Sequence, residues 1–197
     1  VSDRWAFHPL EKGVYQVILA DPPWQFHAWS HRGKGRGASQ HYKTMSAADI
    51  AQLPVQQLAA DNAALFMWVV QPQLPEALAL IEAWGFSYKT IAYCWVKIKG
   101  SQRPLFLDYS DFRIGLGYHT RAGMELCLLA VRGKGYRRQS QSEAQVFVSP
   151  IRQHSRKPDE IPESIIRLTG DVRRVELFAR AKRVGWDSWG AEVGKFG

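Results

Sequence analysis

Short apolar runs alternate with amphipathic stretches along the chain, and the alternation predicts the elements. The first run, Val14–Ala20, reads as a buried strand that stops at Asp21-Pro22-Pro23-Trp24, where the prolines cannot continue it. Leu65–Val70 and the aromatic, β-branched segment Lys89–Ile98 read as further strands. Met124–Val131 and Gln145–Val148 follow, and Arg173–Phe178 reads as the last strand. Ser46 can cap a short helix running towards Ala60. Leu74, Ala77, Leu78 and Ile81 fall at i, i+3, i+4 and i+7 and form one apolar helical stripe, which Gly85 is placed to stop. Pro158 and Pro162 mark the first turn of another helix, whose Ile161, Ile165 and Leu168 share a face and which Gly170 ends. Strands alternating with helices predict an α/β layer fold with a mainly parallel sheet.

Two segments carry no such periodicity. His27–Lys43 is polar, basic and glycine-rich, and residues 100–123 hold few periodic apolar positions. The first cannot bury enough apolar surface to pack and the second is irregular, so mobile loops are expected at about residues 25–45 and 100–123, within a single domain spanning 1–197. In an open α/β sheet, ligands bind beyond the carboxyl ends of the strands. The tetrapeptide at 21–24 and both irregular segments follow strands, which gathers the unusual sequence at one rim.

Charge narrows the partner. Lysine plus arginine number 26 against 18 acidic residues, a net charge of +8, which favours a polyanion because cationic surface releases counterions from phosphates. The two cysteines, Cys94 and Cys127, lie singly in apolar runs, so both read as buried thiols and neither a zinc ribbon nor a disulfide scaffold is expected. No apolar stretch approaches membrane-spanning length and the N-terminus lacks a signal-peptide shape, so the expectation is a cytoplasmic protein.

The tetrapeptide holds the most specific chemistry. An aromatic amine is a poor nucleophile because its lone pair is delocalised into the ring. Acceptors that hold both amino hydrogens steer that lone pair outward, and here the Asp21 carboxylate and the Pro22 carbonyl can do so. Consecutive prolines fix φ and add no competing donor, which makes the platform stiff. Trp24 can offer a face on which a purine stacks. The alternative is a rigid turn after a strand, with Trp24 packed into the core. Other motifs are weaker. His27 and His31 are four apart, but glycines nearby argue for a loop over a metal-binding helix. Gly33-Lys34-Gly35 lacks the spacing of a phosphate-binding loop. Arg132–Arg138 reads as an exposed turn.

With these residues in place the chain resembles a known family, the Asp-Pro-Pro-Trp amino-methyltransferases related to the catalytic subunit of eukaryotic mRNA adenosine methyltransferase, in its compact bacterial or phage type. The resemblance rests on Ala20–Trp24, Tyr42–Ser46, Leu65–Val69, Trp84–Phe86, Trp95–Lys97, Glu125–Leu128, Lys157–Ile161 and Glu176–Arg180, all in one order. It implies a Rossmann-like fold dependent on S-adenosylmethionine, with helices on both faces of the sheet and a circularly permuted motif order, and it implies no metal.

By the same resemblance Asp21, Pro22, Pro23 and Trp24 are catalytic. Lys157 meets the methionine carboxylate of the cofactor, Arg180 and Glu192 its ribose, and Asp3 its adenine, with Asp21 also beside the cofactor. Tyr42 and Glu125 line the target-base pocket, and Arg32, Lys34 and Arg36 of the basic loop are expected on the nucleic-acid backbone. Ala179 and Ala191 depart from a glycine and an asparagine of the family pattern, which touches individual ribose contacts. The segment Arg121–Met124 departs from the family's run as well. The implied reaction is methylation of adenine N6 in DNA, in a bacterial or phage-infected cell, with RNA as the alternative acceptor and a homodimer left open. A non-catalytic nucleic-acid-binding subunit, or methylation of another amino group, is the competing reading. DNA is preferred over RNA because the chain is little more than a catalytic core.

Overall fold

The computed structural model describes residues 5–25, 44–115, 117, 119–153 and 156–195. Seven strands form one sheet: β1 (Tyr15–Ala20), β2 (Ala59–Val69), β3 (Ser87–Ile98), β4 (Met124–Arg132), β5 (Val146–Pro150), β6 (Arg174–Leu177) and β7 (Asp187–Trp189). Three α-helices accompany them: α1 (Ala47–Ala51), α2 (Leu74–Ala83) and α3 (Glu160–Thr169). The spatial order is β5-β3-β4-β2-β1-β6-β7. Parallel pairing joins β1 to β2 and β6, β3 to β5, and β6 to β7, whereas β4 runs antiparallel to both its neighbours, β2 and β3.

The period of two along each strand sorts side chains onto two faces. Ile18 and Ala20 of β1 join Leu65, Met67 and Val69 of β2 in one apolar cluster, against Ile50 of α1 and Ala77, Leu80 and Ile81 of α2. Val17 and Leu19 join Ala64, Phe66 and Trp68 in the other, against Ile161 and Ile165 of α3. Helices therefore cover both faces, as an α/β fold with buried parallel strands requires.

The structure differs from the sequence reading at three elements. Ser46 caps α1, its hydroxyl accepting from the Asp49 amide at 3.1 Å, but the helix stops at Ala51 and does not reach Ala60. Pro54 lacks an N–H and cannot continue it, and β2 begins at Ala59 because Ala59 and Ala63 find partners in Tyr15 and Arg132. Arg173–Phe178 is not the last strand, since β7 follows and pairs with β6; at three residues it is too short to show a period. Cys127 is buried, but Cys94 is only half-buried, and both are free thiols.

Candidate active site

Strand direction decides which residues meet. The carboxyl ends of β1, β2, β3, β5, β6 and β7 share one rim, and the antiparallel β4 brings its first residues to that same rim. Asp21 through Trp24 follow β1, Lys157 follows β5, Arg180 follows β6 and Glu192 follows β7, while Glu125 is the second residue of β4. The chain leaves β1 towards its neighbour β2 and leaves β6 towards β7, so the gap between β1 and β6 is a topological switch point, where such sheets open a crevice.

A cavity of about 620 Å³ opens at that gap. Its walls come from Asp21, Pro22 and Pro23, from Thr44, Met45 and Asp49 around the start of α1, and from the segments after β6 and β7. Phe178 has φ 60°, the left-handed region that non-glycine residues rarely enter, and this sharp exit from β6 sets its ring at 5.5 Å, edge-on, to Trp189. The approach of the two segments is close. A Cβ on Gly190 would lie 2.6 Å from the Ala179 carbonyl oxygen, so only glycine fits there. The Arg180 guanidinium donates to Glu192 at 3.0 Å, and Lys195 reaches the same carboxylate at 2.6 Å. The Lys195 ammonium first, and Arg180 after it, hold the Glu192 carboxyl below its ordinary pKa.

Beside the cavity runs a chain of alternating charges. The Lys157 ammonium donates to Asp21 at 2.7 Å and lies 3.3 Å from Glu125, and Lys97 reaches the other oxygen of Glu125 at 2.5 Å. Lys157 and Lys97 also sit over the rings of Trp68 and Trp95, at 5.6 and 4.8 Å. The side chains of Asp21, Glu125 and Lys157 are 26%, 12% and 13% exposed. Burial raises the Asp21 pKa, with Lys157 opposing it. Burial works on Glu125 in the same direction, but Lys157 and Lys97 together reverse it and its pKa falls. Two ammonium groups act on Glu125, whereas Asp21 has one, with Arg180 adding to it and the Glu125 carboxylate working against both.

Of the residues expected at the site, Asp21, Pro22, Pro23, Arg180 and Glu192 line the cavity, and Lys157 and Glu125 join Asp21 beside it. Trp24 is the exception. It is 4% exposed, belongs to the core and donates from its indole to the Trp68 carbonyl at 3.4 Å, so it leaves no ring face for a purine. The reading of Trp24 as a stacking platform is corrected accordingly, and the core-packing alternative is the one the fold adopts. The Pro22 carbonyl accepts from the Trp24 amide at 2.8 Å and keeps one lone pair, while Pro23 accepts from Met45 at 2.9 Å. Asp3, His27, His31, Arg32, Lys34, Arg36 and Tyr42 lie outside the described residues. Sequence reasoning passed over Lys97, Asp49, Phe178 and Trp189 as site residues. For Lys97 the signal was its position at the end of an apolar strand; for Trp189 there was none, because β7 was not foreseen.

A mixed seven-stranded sheet with helices on both faces and its crevice at the carboxyl rim is the frame of a Rossmann-like α/β methyltransferase. The chain belongs to the MT-A70 family, whose sequence model matches residues 15–192. It is similar to the Type II methyltransferase M.MunI of a Mycoplasma species, 32% identical over 203 residues, covering 95% of this chain and 81% of the relative. It is also similar to the human N(6)-adenosine-methyltransferase catalytic subunit METTL3, 29% identical over 184 residues, and to a Drosophila melanogaster MT-A70-like N(6)-adenosine-methyltransferase at the same identity. The match covers 92% of this chain in both cases, but only 28% and 27% of those relatives' lengths.

Proposed function

We propose that the chain transfers a methyl group from S-adenosylmethionine to the N6 amino group of adenine in DNA. The observation that carries the reading is Asp21, a partly exposed carboxylate at the end of β1. It lines the cavity on one side and is held by Lys157, beside Glu125, on the other. Its carboxylate accepts one amino hydrogen and the remaining lone pair of the Pro22 carbonyl accepts the second, which directs the nitrogen lone pair out of the ring plane. Asp21 is also the base within reach of the proton that the amine sheds, and its burial-raised pKa suits it to that task.

The cavity fits a nucleoside-bearing cofactor. Its volume lies in the range of small-molecule sites, the Arg180–Glu192 pair offers both a donor and acceptors for ribose hydroxyls, and Phe178 and Trp189 supply aromatic walls. Bound there, the cofactor supplies an electrophilic methyl group. Lys157 lies three residues before Glu160, the first residue of α3, on the segment between β5 and α3, and the family resemblance sets it against the cofactor's carboxylate. Asp3 and Tyr42 enter the proposal on that resemblance alone, for the cofactor's adenine and the target base.

The similarity to METTL3, an N(6)-adenosine-methyltransferase catalytic subunit, supports the choice of amine. DNA is preferred because the chain resembles the compact bacterial or phage type, and the type II methyltransferase matches it along most of its own length. RNA is the second reading, supported by the adenosine-methyltransferase relatives. The test is incubation of the wild type and of Asp21→Ala with cofactor and with DNA or RNA, followed by nucleoside mass spectrometry. N6-methyladenine in DNA, lost in Asp21→Ala, is expected. Product confined to RNA overturns the acceptor assignment, and near-normal turnover by Asp21→Ala overturns the chemistry.

A further inference from the structure

A further carboxylate stands two residues after Lys157. Asp159 is the N-cap residue of α3, where an aspartate ordinarily accepts from the amides of the first helical turn. Its side chain makes no such bond, and its backbone is already helical at φ −71°, ψ −19°. The carboxylate instead gathers three guanidinium groups: Arg152, Arg156 at 2.9 Å and Arg183 at 2.8 Å. The first two belong to the segment between β5 and α3, which also carries Lys157. Arg183 comes from the segment between β6 and β7, which carries Arg180.

Arg183 is itself seated from below. Its Nε donates at 3.0 Å to Glu176 of β6, a carboxylate only 14% exposed, while its Nη1 holds Asp159. One planar guanidinium thus bridges a buried carboxylate in the sheet to the segment above it, a geometry that a point-charge ammonium does not reproduce. Glu176 lies in register with Leu19, two residues before Asp21, so the seat is built directly beneath the site.

We propose that Asp159, clasped by Arg183, is a positioning residue that holds Lys157 against Asp21 and Glu125, and so locks the acceptor side of the site to the segment carrying Arg180. The proposal rests on the methyltransferase reading of the site. Without the clasp the Lys157 segment keeps its covalent anchors in β5 and α3 but loses the lateral one that Arg183 supplies, and the ammonium samples positions away from the two carboxylates. An aspartate that forgoes capping its own helix is the local sign that its orientation serves the neighbouring segment.

The test uses the full chain and two readouts. Nitrogen-detected NMR of the Lys157 ammonium in cofactor-free protein reports whether that group is held; its signal is expected to be slow-exchanging in wild type, lost in Asp159→Asn and retained in part in Arg183→Lys. A merely structural role for Asp159 lowers the melting temperature and leaves that signal in place, which overturns the proposal. Methyl transfer supplies the second readout. Asp159→Asn is expected to lower kcat/KM about tenfold in the wild-type background and less than twofold in a Lys157→Met background, because its effect runs through Lys157. Equal, additive losses in the two backgrounds overturn the proposal. If wild type transfers no methyl group, the reading of the site fails on its own terms, and the Lys157 signal still decides the clasp.

Discussion

Replacing Lys157 with methionine keeps most of the unbranched stem and removes its charge, and the structure gives the expected size of the effect. The ammonium lies 2.7 Å from Asp21 and 3.3 Å from Glu125. At an effective dielectric constant of ~20 these contacts are worth about 6 and about 5 kcal/mol of Coulomb attraction. Desolvation of three groups that are mostly shielded from water offsets much of that, and breaking a buried pair typically costs about 3–5 kcal/mol. Lys97 still neutralises Glu125 in the variant. The loss therefore belongs at the lower end, about 3 kcal/mol at neutral pH, or roughly 6–12 °C in melting temperature for a chain of this size.

The pH dependence is the sharper signature. In wild type, Glu125 has a lowered pKa and contributes stability above the ordinary carboxylate range, lost as pH falls through the lowered value. Asp21 has a raised pKa, so it withdraws stability as pH rises from its ordinary value through the raised one. Removing Lys157 drives both carboxyls upward. The destabilisation should be full at neutral pH and should shrink as pH falls through the raised values, where both groups take up protons. Urea unfolding of wild type and Lys157→Met at a series of pH values measures it. A loss that is the same at every pH would refute the account of this lysine as the counterion of two largely shielded carboxylates.

Three further outcomes are expected. Trp24→Ala removes a fully packed indole and should cost about 3–5 kcal/mol of unfolding free energy by denaturant titration, so any loss of activity must be corrected for unfolded protein. Gly190→Ala places a Cβ against the Ala179 backbone and should cost about 1–3 kcal/mol while weakening cofactor binding by calorimetry; an unchanged melting temperature contradicts the close approach of the two segments. Neutralising Arg32, Lys34 and Arg36 together should weaken DNA binding and flatten its salt dependence without changing cofactor affinity; an unchanged slope removes the basic segment from the interface.

What the sequence made legible was whatever repeats at short range. The apolar runs of β1 and β2 and the helical stripe of α2 are local, and each falls on an observed element, although β2 starts ahead of its run, at Ala59, and the buried member of the stripe's lower turn is Leu80, with Leu78 only partly covered. The place of Asp21 at the rim also followed from pattern, since it comes after a strand, whereas Lys157, Arg180 and Glu192 were expected at the site on the family resemblance alone. The antiparallel direction of β4 did not, because direction is set by pairing with β2 and β3, and it is this direction that brings Glu125 to Asp21. The fate of Trp24 was equally hidden. A tryptophan after two prolines reads the same whether its ring faces a ligand or the Trp68 backbone. Asp159 carried no signal of its own in the sequence, and only the three-dimensional placement of Arg183, on the segment between β6 and β7, gives it a role.

The reversed strand has a consequence for how such a chain can change. Every parallel connection in the sheet has to carry the backbone from one end of the strands to the other, and its length and packing are constrained by that passage. Residues 99–123 are under no such obligation, because β3 ends and β4 begins at the same rim. They form an excursion that leaves and returns beside Glu125, with Lys97 and Gly123 joined by a backbone hydrogen bond of 2.9 Å at its base. Doubling such a loop costs only about 0.6 kcal/mol in closure entropy. The fold thus contains a stretch that can be lengthened or rewritten beside the charged groups of the site, at small thermodynamic cost, while the core and the cavity between β1 and β6 stay as they are.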